Sequence, residues 1–203
     1  MATMAMFPLG SVLFPGADLA LRVFEPRYRA LVDACLEGAQ EFGVTLIERG
    51  SEVGGGDSRF DVGCVARLVA AARFDDGRWA IAAAGTRRVR VRRWLPEDPY
   101  PRAEVEDWID VPAGDGPPPS EVATRLRRVL ALAAELGDTA AAVMPEPAGD
   151  LVTASYELSR LAPVGPLDQQ ALLAAETPGR RLVLLARLLA EEEDVLARRL
   201  AGG

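Results

Sequence analysis

Arginine recurs at every second position in Arg88-Val89-Arg90-Val91-Arg92. In an extended strand that spacing puts three guanidinium groups on one face and two valines on the other, a ladder that could hold an acidic ligand. Glu104, Glu106 and Trp108 share the same alternation further along. The competing outcome is that neighbouring strands neutralise each other, each opposite-charge pair contributing about 0.2–1 kcal/mol. Cross-strand pairing is the stronger expectation. Glu25-Pro26-Arg27-Tyr28 brings a carboxylate and a guanidinium to a helix start. Proline suits the first helical position and negative charge is favoured there, so the group reads as structure rather than catalysis. Gly54-Gly55-Gly56, in the loop 51–59, has neither the GxGxxG spacing nor the following helical run of a phosphate cradle. It reads as a connection of the kind that carries recognition.

The missing residue types exclude more than the present ones suggest. There is no histidine and no lysine, so all 23 basic residues are arginine. Without lysine there is no Walker A loop and no Ser-Lys peptidase dyad. Without histidine there is no Ser-His-Asp triad, Cys-His pair or HExxH zinc site. Cys35 and Cys64 each sit among apolar neighbours and read as buried, inert thiols rather than a metal clip or disulfide framework. No cofactor and no metal are expected. The net charge of −7 opposes broad binding to nucleic acid or to an anionic membrane. No secretory leader pattern and no run of 18 apolar residues is present, which points to the cytoplasm.

At 203 residues, 49% of them hydrophobic and 26% charged, the chain has the means to bury a real core, about 70% of its unfolded surface. Short apolar runs separated by turn signals fill its first half. Strands are expected around Phe42–Glu48, Val62–Phe74, Trp79–Ala84, Arg88–Leu95 and Ala103–Ile109, with Asp75-Asp76-Gly77 as a hairpin turn. Leu19, Leu21 and Val23 alternate as in a strand, and Tyr28, Leu31, Val32, Cys35 and Leu36 follow Pro26 at helical spacing. Proline in PAGDGPPP, residues 112–119, interrupts both patterns. Beyond it four helices are expected: one capped by Ser120, one by Asp150, and two opened by Pro166 and Pro178. The boundaries are therefore a β part over residues 1–111, a linker over 112–119 and a helical part over 120–203.

Phe7-Pro8-Leu9, Val12-Leu13-Phe14-Pro15-Gly16 and Phe24-Glu25-Pro26-Arg27-Tyr28 together resemble the start of the Lon protease N-terminal domain. The resemblance continues through Phe42-Gly43-Val44, Glu52-Val53-Gly54, Val62 to Arg67, Asp76-Gly77-Arg78 and Ser155 to Leu158. It implies an α+β fold, a PUA-like small β-barrel with one helix followed by a C-terminal helical bundle. It also implies a stand-alone bacterial member without ATPase and peptidase domains, a non-catalytic module for exposed or unfolded polypeptide segments, with a protease as a further partner. The polypeptide-binding candidates are Phe7, Phe14, Phe24, Arg27, Tyr28, Glu52, Val53 and Trp79. The alternative is an RNA- or small-ligand-binding PUA-like barrel, which requires several arginines gathered on one open face. The oligomeric state is left open.

Overall fold

The computed structural model describes residues 2–50, 56, 58–113, 115–137 and 146–202. The chain is α+β and divides into two compact units, Met1–Ile109 and Asp110–Gly203.

The first unit holds β1 (Ala2–Leu9), β2 (Asp18–Val23), α1 (Pro26–Glu37), β3 (Glu41–Arg49), β4 (Ser58–Arg73), β5 (Trp79–Leu95) and β6 (Arg102–Asp107). Their order is β2-β5-β4-β3-β1-β6, and β6 pairs with β5 as well as with β1, so the hydrogen bonding closes into a ring with β2 outside it. β1 and β3 run parallel, Phe7 opposite Val44, and the other pairings are antiparallel. α1 begins with Pro26 at its first turn and buries Tyr28, Leu31, Val32 and Cys35. That face packs with Phe7, Leu9, Val23, Phe42, Val44, Trp79 and Ile81 into the main core. A second cluster joins Met6, Val65, Val89, Val91, Ala103 and Val105. Gly77, at φ +79°, turns the β4–β5 hairpin where Asp75-Asp76-Gly77 leads one to expect it.

One expectation is corrected here. The stretch read as two strands, Trp79–Ala84 and Arg88–Leu95, is a single strand of 17 residues. Gly85, between the two expected strands, marks a close approach. A β-carbon there would collide with the Phe14 carbonyl oxygen, and the Gly85 amide donates to Ala17 O at 2.8 Å while its own oxygen accepts from Gly16 N at 2.9 Å. The loop after β1 is thereby fastened to the middle of β5.

The second unit contains α2 (Pro119–Glu135), α3 (Leu151–Leu161), α4 (Pro166–Leu173) and α5 (Pro178–Gly202). α5 contacts α2, α3 and α4. Leu182, Leu185, Leu189 and Leu196 of α5 and Val122, Leu126 and Val129 of α2 are buried at helical spacing. Asp150 caps α3, its Oδ1 accepting from Thr153 N at 2.9 Å. Ser120 does not cap α2. Pro118 holds that position and Pro119 the first helical one, because a residue without an N–H loses nothing where the amide has no intrahelical partner.

Candidate polypeptide-binding site

β1 and β2 converge on the start of α1, and the residues at their ends form a narrow slot. Its walls are Phe7, Leu9, Leu21, Val23, Phe24 and Tyr28, with Arg22 and Glu25 at the rim. The Phe7 ring stacks on Tyr28 with centroids 4.2 Å apart and 11° between planes, and both side chains are buried. Phe24 is the contrast. It leaves the end of β2 and is 55% exposed beside these buried rings. The slot encloses about 70 Å³, far below the roughly 300–1,000 Å³ of a small-molecule site. It accommodates one apolar side chain at most.

A chain of charges leads away from the slot. Arg27 Nε donates to Glu25 Oε2 at 3.2 Å, and its guanidinium lies 4.4 Å from the Tyr28 ring centroid. Arg27 Nη1 also reaches Glu97 Oε2 at 3.4 Å, and the other oxygen of Glu97 accepts from Arg59 Nη2 at 2.5 Å. Arg59 lies 4.8 Å from the Trp94 ring centroid, and Trp94 Nε1 donates to Asp61 Oδ1 at 3.3 Å. Arg59, Asp61, Trp94 and Glu97 line a second, more open hollow of about 390 Å³ with Gly56 and Ser58. Glu97 thus links an apolar slot to a polar hollow on one unit.

The arginine ladder holds no open ligand face. Arg92 pairs with Glu106, and a register shift after Val91 sets Arg93 opposite Glu104, where Nη2 and Oε1 are 2.5 Å apart. Arg88 is almost fully buried, and the guanidinium groups of Arg88 and Arg90 lie 4.1 and 3.9 Å from the Trp108 ring centroid. Arg87 joins Glu41 and Asp107, and Glu41 also accepts from Arg67. Burial raises the Glu41 pKa, but hydrogen bonds from Arg67 and Arg87 outweigh it and hold the carboxyl below its ordinary 4.5. Of the three alternating arginines, Arg92 pairs with a carboxylate across the strands, whereas Arg88 and Arg90 stack on Trp108.

Neither thiol is placed for nucleophilic work. Burial pushes Cys35 up to about 11 and Cys64 up to about 12. Among the described residues no group of three or more His, Cys, Asp or Glu side chains is arranged to hold a metal ion, and no helix is long and apolar enough to cross a membrane.

A family model for the substrate-binding domain of ATP-dependent protease La, or Lon, matches residues 3–191. The chain belongs to the Lon substrate-binding domain family. A Lon protease of Anaeromyxobacter dehalogenans is 27% identical over 208 residues, covering 96% of this chain and 24% of the relative. A LON peptidase N-terminal domain and RING finger protein of Schizosaccharomyces pombe is 22% identical, over 92% of this chain and 45% of that protein. The chain thus spans about a quarter of the length of the Lon proteases it matches. Among solved structures, a Lon N-terminal domain protein from Xanthomonas campestris superposes with a TM-score of 0.67 at 31% identity, covering 94% of this chain and 98% of that one. The N-terminal domain of a Mycobacterium avium complex Lon protease, at 15% identity and a TM-score of 0.61, shares the fold.

Of the eight candidates named from the Lon resemblance, Phe7, Phe24 and Tyr28 meet at the slot and Arg27 stands beside it. Phe14 and Trp79 are buried, 2% and 8% exposed, Trp79 within the main core. Glu52 and Val53 lie outside the described residues. Sequence reasoning missed Leu9, Leu21 and Val23 as walls, and Arg59, Trp94 and Glu97 as the polar extension. Alternation along β2 signals the inward pointing of Leu21 and Val23. Nothing local signals that Glu97, 70 residues after Arg27, would bridge two guanidinium groups.

Proposed function

We propose that this chain is a non-catalytic module that captures exposed or unfolded segments of other proteins and presents them within proteolysis or quality control in the cytoplasm. The observation that carries the reading is Phe24, a large exposed apolar side chain beside an apolar slot, with hydrogen-bonding and charged groups continuing away from it. An extended segment would place one apolar side chain in the slot and run its polar backbone toward Arg27, Glu97 and Arg59. Family membership supports binding of protein substrates, and the absence of lysine and histidine supports recognition without bond cleavage.

In this reading the closed ring of strands is a small PUA-like barrel, the second unit a helical bundle, and the proline-rich residues 112–119 the link between a β subdomain over 1–111 and a helical subdomain over 120–203. An adaptor role alongside a protease follows from the same reading. The RNA-binding alternative receives no support, because Arg67, Arg87, Arg92 and Arg93 are each tied to a carboxylate.

The test is titration of the intact chain with a reduced, carboxymethylated and permanently unfolded protein. The expected Kd is about 1–100 μM, weakened at least about fivefold by Phe24→Asp. Flat titrations with several unfolded clients overturn the proposal.

A further inference from the structure

We propose that the outer edge of β2 pairs antiparallel with β2 of a second copy of this chain, joining two sheets about a two-fold axis at Ala20. β2 is the terminal strand of its sheet and pairs with β5, Asp18 opposite Ala84 through Val23 opposite Trp79. Among the described residues no strand pairs with its other side. A six-residue edge free of proline and bulges is a template for another strand.

The sequence of this edge chooses the occupant. In Asp18-Leu19-Ala20-Leu21-Arg22, antiparallel pairing about Ala20 sets Asp18 against Arg22 of the second copy, Leu19 against Leu21, and Ala20 against itself. Both charged pairs become attractive. Parallel pairing in the same register would set Asp18 on Asp18 and Arg22 on Arg22, so charge selects the antiparallel arrangement. The faces agree as well. Asp18, Ala20 and Arg22 are exposed on the outer face, whereas Leu19 and Leu21 are half-buried against the core, so each directly opposed pair lies on one face. Within its own chain neither Asp18 nor Arg22 has an ion-pair partner among the described residues, in contrast to Arg87, Arg92 and Arg93. These two side chains thus carry complementary charge that the monomer leaves unused. The contact is a short strand pair, which corresponds to a weak, concentration-dependent dimer rather than an obligate one.

Sedimentation of the intact chain across a concentration series tests this. The expected result is a monomer–dimer equilibrium. Asp18→Arg alone and Arg22→Asp alone each turn two attractions into two repulsions by symmetry and weaken dimerisation about tenfold or more. The double variant, Asp18→Arg with Arg22→Asp, restores it. Both positions are exposed, so the variants remain folded, and the restored double variant separates a pairing effect from misfolding. In a separate arm, Ala20→Cys is treated with a short bis-maleimide, the native thiols being buried. Dimers are expected from Ala20→Cys and not from Ala72→Cys, an exposed position on β4. A monomer at every concentration, failure of the double variant to recover, or equal crosslinking at both cysteine positions overturns the proposal. A monomer whose β2 edge instead takes up an unfolded client assigns the edge to clients and overturns it equally.

Discussion

Arg181, fully buried in α5, donates from Nη2 to Asp110 Oδ1 at 3.0 Å, joining residues 71 positions apart in the second unit. Its other nitrogens are also used: Nε donates to Leu172 O at 3.0 Å and Nη1 to Ser155 Oγ at 2.7 Å, and Nη2 also reaches the Tyr156 hydroxyl at 3.1 Å. The Tyr156 hydroxyl bonds the other Asp110 oxygen, and its ring lies 3.9 Å from the guanidinium carbon. Removing Asp110 leaves the fully buried guanidinium without its counter-ion, and removing Arg181 takes that guanidinium from the largely buried carboxylate. Asp110→Ala and Arg181→Met are each expected to destabilise the second unit by about 3–5 kcal/mol. The loss should appear as early melting of helical signal in far-ultraviolet circular dichroism; an unchanged transition contradicts it.

Phe7 and Phe24 both face the slot but carry different costs. Phe7 is buried and stacked on Tyr28, so Phe7→Ala should destabilise the chain by about 3–5 kcal/mol. Phe24 is more than half exposed, and Phe24→Ser should leave the unfolding free energy within about 0.5 kcal/mol of the parent. Equal destabilisation in urea titrations would place Phe24 in the core instead of on the surface.

Glu41 gives an acid-sensitive contribution of defined sign. Its folded pKa lies below 4.5, so the folded state favours the ionised carboxylate. The resulting stabilisation is complete above the ordinary value and is lost as pH falls through the lowered one. Arg67 and Arg87 are solvent-exposed, which keeps the effect within about 1 kcal/mol. Glu41→Gln should flatten the decline of stability below pH 4.5, read as melting temperature against pH. A parallel decline in both proteins refutes the assignment.

Cys35 and Cys64 should be nearly silent toward a disulfide reagent at pH 8. Burial raises both pKa values and blocks approach, so labelling should run at least about 100-fold slower than in denaturant. Fast labelling of native protein would show that one thiol is accessible.

Features governed by local chemistry were legible in the sequence. Pro26, Pro166 and Pro178 each open a helix, and Asp150 caps one. The alternation of arginine and valine marks β5, and its carboxylate partners stand on β6. Ser120 misled because a good capping side chain carries no information about two prolines immediately before it. The continuity of β5 across Gly85 was not legible, because the reason for the missing side chain there, the Phe14 carbonyl, comes from a loop 71 residues earlier. The site divides in the same way. Phe7, Phe24 and Tyr28 were identifiable as large side chains in one motif, but whether a ring lines a slot or fills a core depends on tertiary packing, and Phe14 and Trp79 lie on the buried side.

β5 touches β2 and β4 along its first half and β4 and β6 along its second, and the register shift beside Gly85 in the β4–β5 ladder leaves the strand itself continuous. A 17-residue strand shared in this way acts as a common spine. Both ladders hang on the same backbone, which couples the opening of one half of the sheet to the other. Amide protons in the middle of β5 should therefore exchange with deuterium together, at the rate set by the slowest opening of the first unit.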